Sequence, residues 1–391
     1  MTKAVDHMLA EIRKLAPEIP SRAAEIEAAR RMPPELVDKL KEIGLYRMFV
    51  PRSHGGLELD FPEGVRVTAE LGKIEGSLGW TAMIAMGSGL VTSLLPLETY
   101  NRVYENGPDV ALAGSSQPAG TAEAVPGGWR VSGRWPFASG CHQAEWMLAF
   151  CIMTKDGKPL AGSTGDDGPP LVRGFILPAA EWQIEDTWHV AGLKGTGSNH
   201  IAIANKFVPE TSFFNIENAV PCVPGPLYQA PLDFLPMTHS AFAVGAAQGA
   251  VNELVELANT GRRQLRAATA MRDSEMFQGE LGRAEADLRA AQALLEVQAA
   301  RHWRHALAGT IKDGALGMQS TQTAVWISST CVRVADACFA LAGGSALYNA
   351  SPLQRRLRDI HVGAQHASVQ QRQYAAIGKL RLDDVHTDGN G

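Results

Sequence analysis

The sequence predicts an α+β chain in three parts: an N-terminal helical domain over 1–110, a middle β domain over 111–215, and a linker with a C-terminal four-helix bundle over 216–391. Three observations predict it. Apolar residues recur at helical spacing up to about residue 107, short runs broken by Gly, Pro and Asp follow to about 215, and long helical patterns resume after a proline-rich stretch. With 45% apolar and 20% charged residues in 391, the composition is that of a folded globular protein.

In the first part, "RMPPELVDKLKEIGLY" places a proline pair before a first turn, apolar Leu36, Leu40 and Ile43 on one face, and Gly44 where a helix should stop. In the second, "WMLAFCIM" and "LVRGFILP" read as strands, "TKDGKPLAGSTGDDGPP" as one long surface loop, and "SNHIAIANKFVPE" as a further strand. The linker is "VPCVPGPLYQAPLDFLP". Beyond it "SAFAVGAAQGAVNELVELANTG" opens the bundle, and Phe277, Leu281, Ala284, Leu288, Ala291 and Leu295 mark one seam of a helix from about Ser274 to Leu307. Two more helices are expected, over about 317–342, ending at Gly343 and Gly344, and over about 352–380.

A net charge of −5 offers no field for a polyanion, so a small molecule is a better partner than nucleic acid. No stretch is expected to span a membrane, and "MTKAVDHMLAEIRKLAPEI" has no secretory core, which places the chain in the cytoplasm. Cys141, Cys151, Cys222, Cys331 and Cys338 form no CxxC pair, as expected of buried thiols in a reducing compartment.

Four features could carry chemistry. "WHVAGLKGTGSNHIAIANKFVPE" has the glycines and lysine of a phosphate loop in the wrong order for GxxxxGK[ST] and for GxGxxG, so it reads as a loop between strands. In "RWPFASGCHQAEWMLAF", Phe137, Ala138, Ser139 and Gly140 make a small-residue turn that could offer amides and a hydroxyl to a flat ring, with Trp135 or Trp146 as an apolar wall. His302 and His305 in "HWRH" lack further metal ligands and read as helix surface. His361 and His366 fall five apart in the last bundle helix. No GxSxG or HExxH is present, so a bound organic cofactor is the simplest carrier of chemistry.

Three segments together resemble the acyl-CoA dehydrogenase superfamily: "GRWPFASGCHQAEWMLAF", "RRQLRAATAMRDSEMFQGELGRAEADLRAAQ" and "AGGSALYNASPLQRRLRDIHVGAQH". The resemblance covers nearly the whole chain and implies an N-terminal helical domain, a middle β-barrel and a C-terminal four-helix bundle. Where many dehydrogenases carry a glutamate base, this chain reads "GAQHAS". The combination "FASGC", "GLKGTGSN" and "QH" is similar instead to the oxygenase components of two-component flavin-dependent monooxygenases, such as phenol-type hydroxylases and dibenzothiophene monooxygenase.

That likeness implies reduced FMN or FAD from a separate NAD(P)H-dependent reductase, O2 as cosubstrate, a C4a-hydroperoxyflavin, a small aromatic or heteroaromatic substrate, and a homotetramer. It implies that Ser139, with Phe137, Ala138 and Gly140, meets the flavin ring, that Thr196, Gly197 and Ser198 lie beside it, and that His366 holds or donates a proton. Arg263 would reach the flavin phosphate across a subunit boundary. Met83, Met86 and Ser88 would line the substrate pocket in "GWTAMIAMGSGLVTSLLP", where phenol-hydroxylating relatives place a histidine and this chain has none. Two other readings stand beside this one. One is an FAD-retaining acyl-CoA dehydrogenase-like oxidoreductase with Glu75 or Glu145 as base, the other a binding module without chemistry.

Overall fold

The computed structural model describes residues 3–162, 165–216, 220–264, 267–312 and 314–387; Ser163 and Thr164 of the expected surface loop lie outside them. The N-terminal part contains α1 (Lys3–Leu15), α2 (Glu18–Ser21), α3 (Ala23–Ala29), α4 (Pro34–Ile43), α5 (Phe61–Ile74), α6 (Gly76–Val91) and α7 (Leu97–Val103). The helix α4 forms as its punctuation predicts: Pro34 needs no amide partner in the first turn, and Gly44, at φ +93°, closes the last turn on the carbonyls of Leu40 and Lys41. At the start of α6 the Glu75 carboxylate accepts from the Leu78 amide at 2.7 Å.

The middle part carries β1 (Leu112–Gly114), β2 (Gly120–Val125), β3 (Gly128–Ala138), β4 (Trp146–Lys155), β5 (Lys158–Pro159), β6 (Ala161–Gly162), β7 (Gly165–Pro170), β8 (Val172–Pro178), β9 (Gln183–Glu185), β10 (Asn199–Pro209) and β11 (Phe213–Phe214). The main sheet runs β11-β8-β4-β2-β3-β10-β9, with β1 and β5 also on β4. It is mixed, because β1 and β2 run parallel to β4. Side chains from both ends of the path, Phe213 and Trp182, meet on Phe175, so the sheet wraps one core as a barrel does. The expected surface loop instead contributes β5 to the main sheet and pairs β6 with β7.

The C-terminal part holds α8 (Pro231–Asn259), α9 (Glu275–Leu307), α10 (Gly314–Ala342), α11 (Pro352–Gly363) and α12 (Gln373–Thr387). Two of these, α9 and α10, match the expected helices closely. The α9 start is set by Ser274, whose hydroxyl accepts from the Phe277 amide. Two expectations are corrected. The linker ends sooner than its prolines suggest, since Pro231 sits in the first turn of α8 and Pro236 is carried inside it. The last helix is two helices, interrupted over 364–372, where "AQHASVQQR" offers no apolar stripe to continue one.

Helices α6 and α10 also correct the membrane expectation. Gly76–Leu94 and Gly314–Leu347 are long and apolar enough to cross a bilayer, but 83% and 50% of their most apolar windows are buried inside the protein. Protein packing, rather than lipid, satisfies most of the apolar surface of α6.

One core spans the N-terminal helices and the bundle, and α8 runs through it. Arg356 of α11, 5% exposed, ties three helices together. Its guanidinium donates to the carbonyls of Gly72, Lys73 and Ile74 at the end of α5, at 2.7–2.9 Å, and pairs with Glu253 of α8 at 3.0 Å.

His302 is fully buried in the bundle, which corrects its reading as helix surface; His305, one turn on, is half-buried. Burial pushes the His302 imidazole down to about 4. Its Nε2 finds no hydrogen-bond partner among the described residues. A group whose folded pKa is depressed in this way is bound neutral, so the unfolded chain takes up a proton first as the pH falls. Stability is therefore expected to drop from about pH 6.5 downwards, with His302 contributing a loss of about 3 kcal/mol by pH 4. Urea titrations across that range check it, and His302→Met should flatten the slope.

Candidate active site

The glycine loop before β10 is built for close approach. A Cβ on Gly192 would lie 2.3 Å from the Arg358 carbonyl of α11, and one on Gly195 would lie 2.3 Å from Ile26 of α3 and 3.0 Å from Ser77 of α6. The glycines thus seat the loop against two helical domains. On the α11 side, the Leu193 amide donates to Asp359 at 2.6 Å. Burial, with Glu75 nearby, raises the Asp359 carboxyl well above the usual carboxylate range.

So seated, the loop brings Thr196 and Ser198 against the turn after β3. The Gly140 amide donates to the Thr196 carbonyl at 2.8 Å, and the Cys141 thiol to the Gly197 carbonyl at 3.3 Å. The Ser139 hydroxyl lies 2.7 Å from that of Ser198, which lies 2.7 Å from that of Thr196. Trp80 Nε1, from α6, donates to Ser139 Oγ at 3.0 Å. Ser139, Thr196 and Ser198 are all buried, Ala138 is fully so, and Phe137 alone in the turn is 57% exposed. Phe137 adopts φ +66°, a costly conformation for a bulky residue and one that concentrates at functional sites.

Trp80 is the hub. Its ring lies 5.9 Å from that of His366, 5.5 Å from His239 of α8 and 5.2 Å from Phe242, all edge to face. His366 lies in the interruption between α11 and α12 rather than inside a helix. The Ser368 amide and hydroxyl approach its Nδ1 at 3.4 and 2.7 Å, and the amide can only donate, so the ring proton sits on Nε2. Desolvation where the ring packs against these groups lowers its pKa from the usual imidazole range, although the residue as a whole is exposed.

His239 is 2% exposed and held neutral, its pKa driven down to about 3 chiefly by burial. The Gly363 carbonyl accepts from both His239 Nε2 at 3.0 Å and the His366 amide at 3.1 Å. This shared acceptor ends α11 and fixes where the chain turns toward His366.

The other expected residues are spread more widely. Met83 is buried one turn beyond Trp80, and Ser88 is half-buried. Met86 is fully buried on the α5 side, its sulfur accepting from the Thr68 hydroxyl at 3.3 Å, because six residues carry it around α6 away from Trp80. Ile84 and Gly87, with Leu235 of α8 opposite Gly87, occupy the Trp80 side instead. Trp135 is corrected from a cofactor wall to the barrel core, where its indole donates to the Phe150 carbonyl at 2.7 Å. Trp146 stays half-buried under the Arg102 guanidinium, 5.5 Å from the ring centroid. Arg263 is exposed on the segment between α8 and α9. A cavity of about 550 Å³ between α8, α10 and α12 is joined to the His366 turn through Gln373, whose amide donates to the Ala367 carbonyl at 3.0 Å.

Comparison with known proteins fits this geometry. Residues 2–98 match the Acyl-CoA dehydrogenase, N-terminal domain family, and residues 237–371 match the Acyl-CoA dehydrogenase, C-terminal domain family. Indole-3-acetate monooxygenase of Pseudomonas putida is 32% identical over 92% of this chain and 90% of its own length. The chain belongs to the flavin-dependent monooxygenases of the acyl-CoA dehydrogenase fold. Flavin-dependent monooxygenase, oxygenase subunit HsaA, of Mycobacterium tuberculosis, is 32% identical over 92% of this monooxygenase and 91% of HsaA. The HsaA crystal structure superposes with a TM-score of 0.87 at 29% identity, covering 97% of this chain and 99% of that one. XiaF from Streptomyces sp., solved with FADH2 and glycerol, gives 0.87 at 25% identity over 96% and 94%.

Neither carboxylate considered as a dehydrogenase base reaches the monooxygenase site. Glu75 is engaged as the α6 cap and Glu145 in a surface pair with Lys41.

Proposed function

We propose that this monooxygenase is the oxygenase component of a two-component system, taking reduced FMN or FAD from a separate NAD(P)H-dependent reductase and using O2 to oxygenate a small aromatic or heteroaromatic acceptor. One observation carries the reading. Trp80 touches both Ser139 and His366, so a buried hydroxyl turn and an imidazole with its proton held on Nε2 meet at one indole.

The residues present fit a flat heterocycle. Phe137, Ala138, Ser139 and Gly140 would hold it on one edge, and Thr196, Gly197 and Ser198 support that edge from behind. When bound, reduced flavin supplies the electrons that activate O2. His366 is neutral at pH 7 and holds a proton on Nε2, where it can be shared with a developing anion. Trp80, Phe242 and the neutral ring of His239 keep water from that proton on the protein side. Met83, Ile84, Gly87 and Ser88 would face the acceptor, and the absence of a histidine there favours one less polar than a phenolate. Indole-3-acetate monooxygenase is named for a heteroaromatic acid.

The assembly we infer is a homotetramer formed through the bundle. Exposed Met276, Val297, Leu307, Leu347 and Tyr348 offer apolar surface for it. In that assembly Arg263 would reach the phosphate of a flavin in the neighbouring subunit. The cytoplasm, where a nicotinamide-dependent reductase works, is the compartment we propose.

The test supplies photoreduced FMN or FAD and isotopically labelled O2 with a panel of indoles, phenols and thioethers. Mass spectrometry should find one labelled oxygen in product. Complete diversion of the electrons to hydrogen peroxide with every acceptor, or bleaching of a tightly bound FAD by an acyl-CoA, overturns the reading.

A further inference from the structure

The three hydroxyls at the site are not free to choose their donors. Trp80 Nε1 can only donate, and it donates to Ser139. At the far end the Leu193 carbonyl can only accept, and Thr196 Oγ1 sits 2.8 Å from it, so the Thr196 proton is used there. The 2.7 Å contact between Thr196 and Ser198 then requires the Ser198 proton, and the 2.7 Å contact between Ser198 and Ser139 requires the Ser139 proton. Every proton in the chain is committed in one direction, from the indole to the carbonyl. The Leu193 carbonyl is itself pinned, since Trp188 Nε1 donates to it at 3.1 Å and the Leu193 amide is held by Asp359.

We infer that this one-way chain, Trp80 to Ser139 to Ser198 to Thr196 to Leu193, makes Ser139 an acceptor-only group and thereby selects the reduced over the oxidised flavin. The inference rests on the function proposed above, with Ser139 placed against N5 of the ring. Two-electron reduction converts N5 of the isoalloxazine from a bare nitrogen, which needs a donor, into an N–H, which needs an acceptor. Ser139 has a lone pair left and no proton left. Facing oxidised flavin, it sets one lone pair against another in a buried site, the costly case of an unmet acceptor; facing reduced flavin, it completes its own hydrogen bonding.

Thr196 and Ser198 are thus specificity-determining residues that need not touch the ligand. Their role predicts a substitution pattern that differs from loss of packing. Thr196→Val keeps the shape but removes the acceptor for Ser198, freeing that proton and, through it, the proton of Ser139. Thr196→Ser keeps the chain intact.

The experiment measures dissociation constants of oxidised FMN and FAD, and of the photoreduced forms under anaerobic conditions, by flavin fluorescence and equilibrium dialysis. The full-length protein and its Thr196→Val, Thr196→Ser and Ser198→Ala forms are compared without O2 or acceptor. The unaltered protein and Thr196→Ser should favour reduced flavin by a similar ratio. In Thr196→Val and Ser198→Ala that ratio should shrink about 10-fold, mainly through tighter oxidised binding, a shift of about 30 mV in the bound couple. An unchanged ratio in Thr196→Val, or an equal loss in Thr196→Ser, overturns the chain as selector while leaving the monooxygenase reading intact. Absence of binding in either redox state by the unaltered protein overturns both.

Discussion

Replacing His366 by alanine is expected to lower product formation by about 10²-fold or more, the range of a lost general acid or base, while binding of reduced flavin changes little. The imidazole meets the indole of Trp80, and Ser368 holds its proton on Nε2. Alanine removes the proton carrier and leaves the Ser139 turn untouched. The electrons should appear as hydrogen peroxide instead of product, and a peroxide assay beside product quantification separates the two fates. The pH dependence has a defined sign. Burial lowers the His366 pKa, so the ring stays neutral through neutral pH and becomes cationic only on further acidification. Activity that needs the neutral ring should fall on the acid side, below the ordinary imidazole range, and that limb should be missing from His366→Ala.

Arg356→Met is expected to cost about 3–5 kcal/mol of stability. The guanidinium is buried, satisfies three carbonyls at the end of α5 and neutralises Glu253. Methionine fills part of the volume but leaves those carbonyls and a half-buried carboxylate without a partner. Lysine should not rescue it, because one ammonium cannot reproduce a planar fork aimed at several acceptors. Urea unfolding measures the loss directly. The same anchor orients α11, whose end sets the His366 turn, so residual activity in Arg356→Met should be low even where the protein remains folded.

Much of the fold was legible because its signals are local. Pro34 and Gly44 bound α4, Ser274 caps α9, and the alternation after Ser198 makes β10, each through a backbone preference that needs no partner. The site was legible in part for the same reason. "FASG" and "GTGS" are turns between strands, and turns are written in small residues and glycines. What the sequence could not convey is which side chains those turns meet. Trp80 lies on a helix with no charged residue to mark one face from another, and His239 lies on a similar stretch of α8. For Met86, sequence nearness to Trp80 hides the rotation that turns it toward Thr68.

The sequence by itself determined the three-part order, the bounds of α4, α9, α10, β4, β8 and β10, the family and the hydroxyl and imidazole types at the site. Only the tertiary structure decided that the glycines of the loop are docking contacts, that α11 stops at a carbonyl shared by His239 and His366, and that the hydroxyls line up in one direction. Local preferences fix where an element begins and ends, but hydrogen-bond direction and the meeting of Ser139 with Trp80 depend on groups far apart in the chain, and only packing brings those within reach.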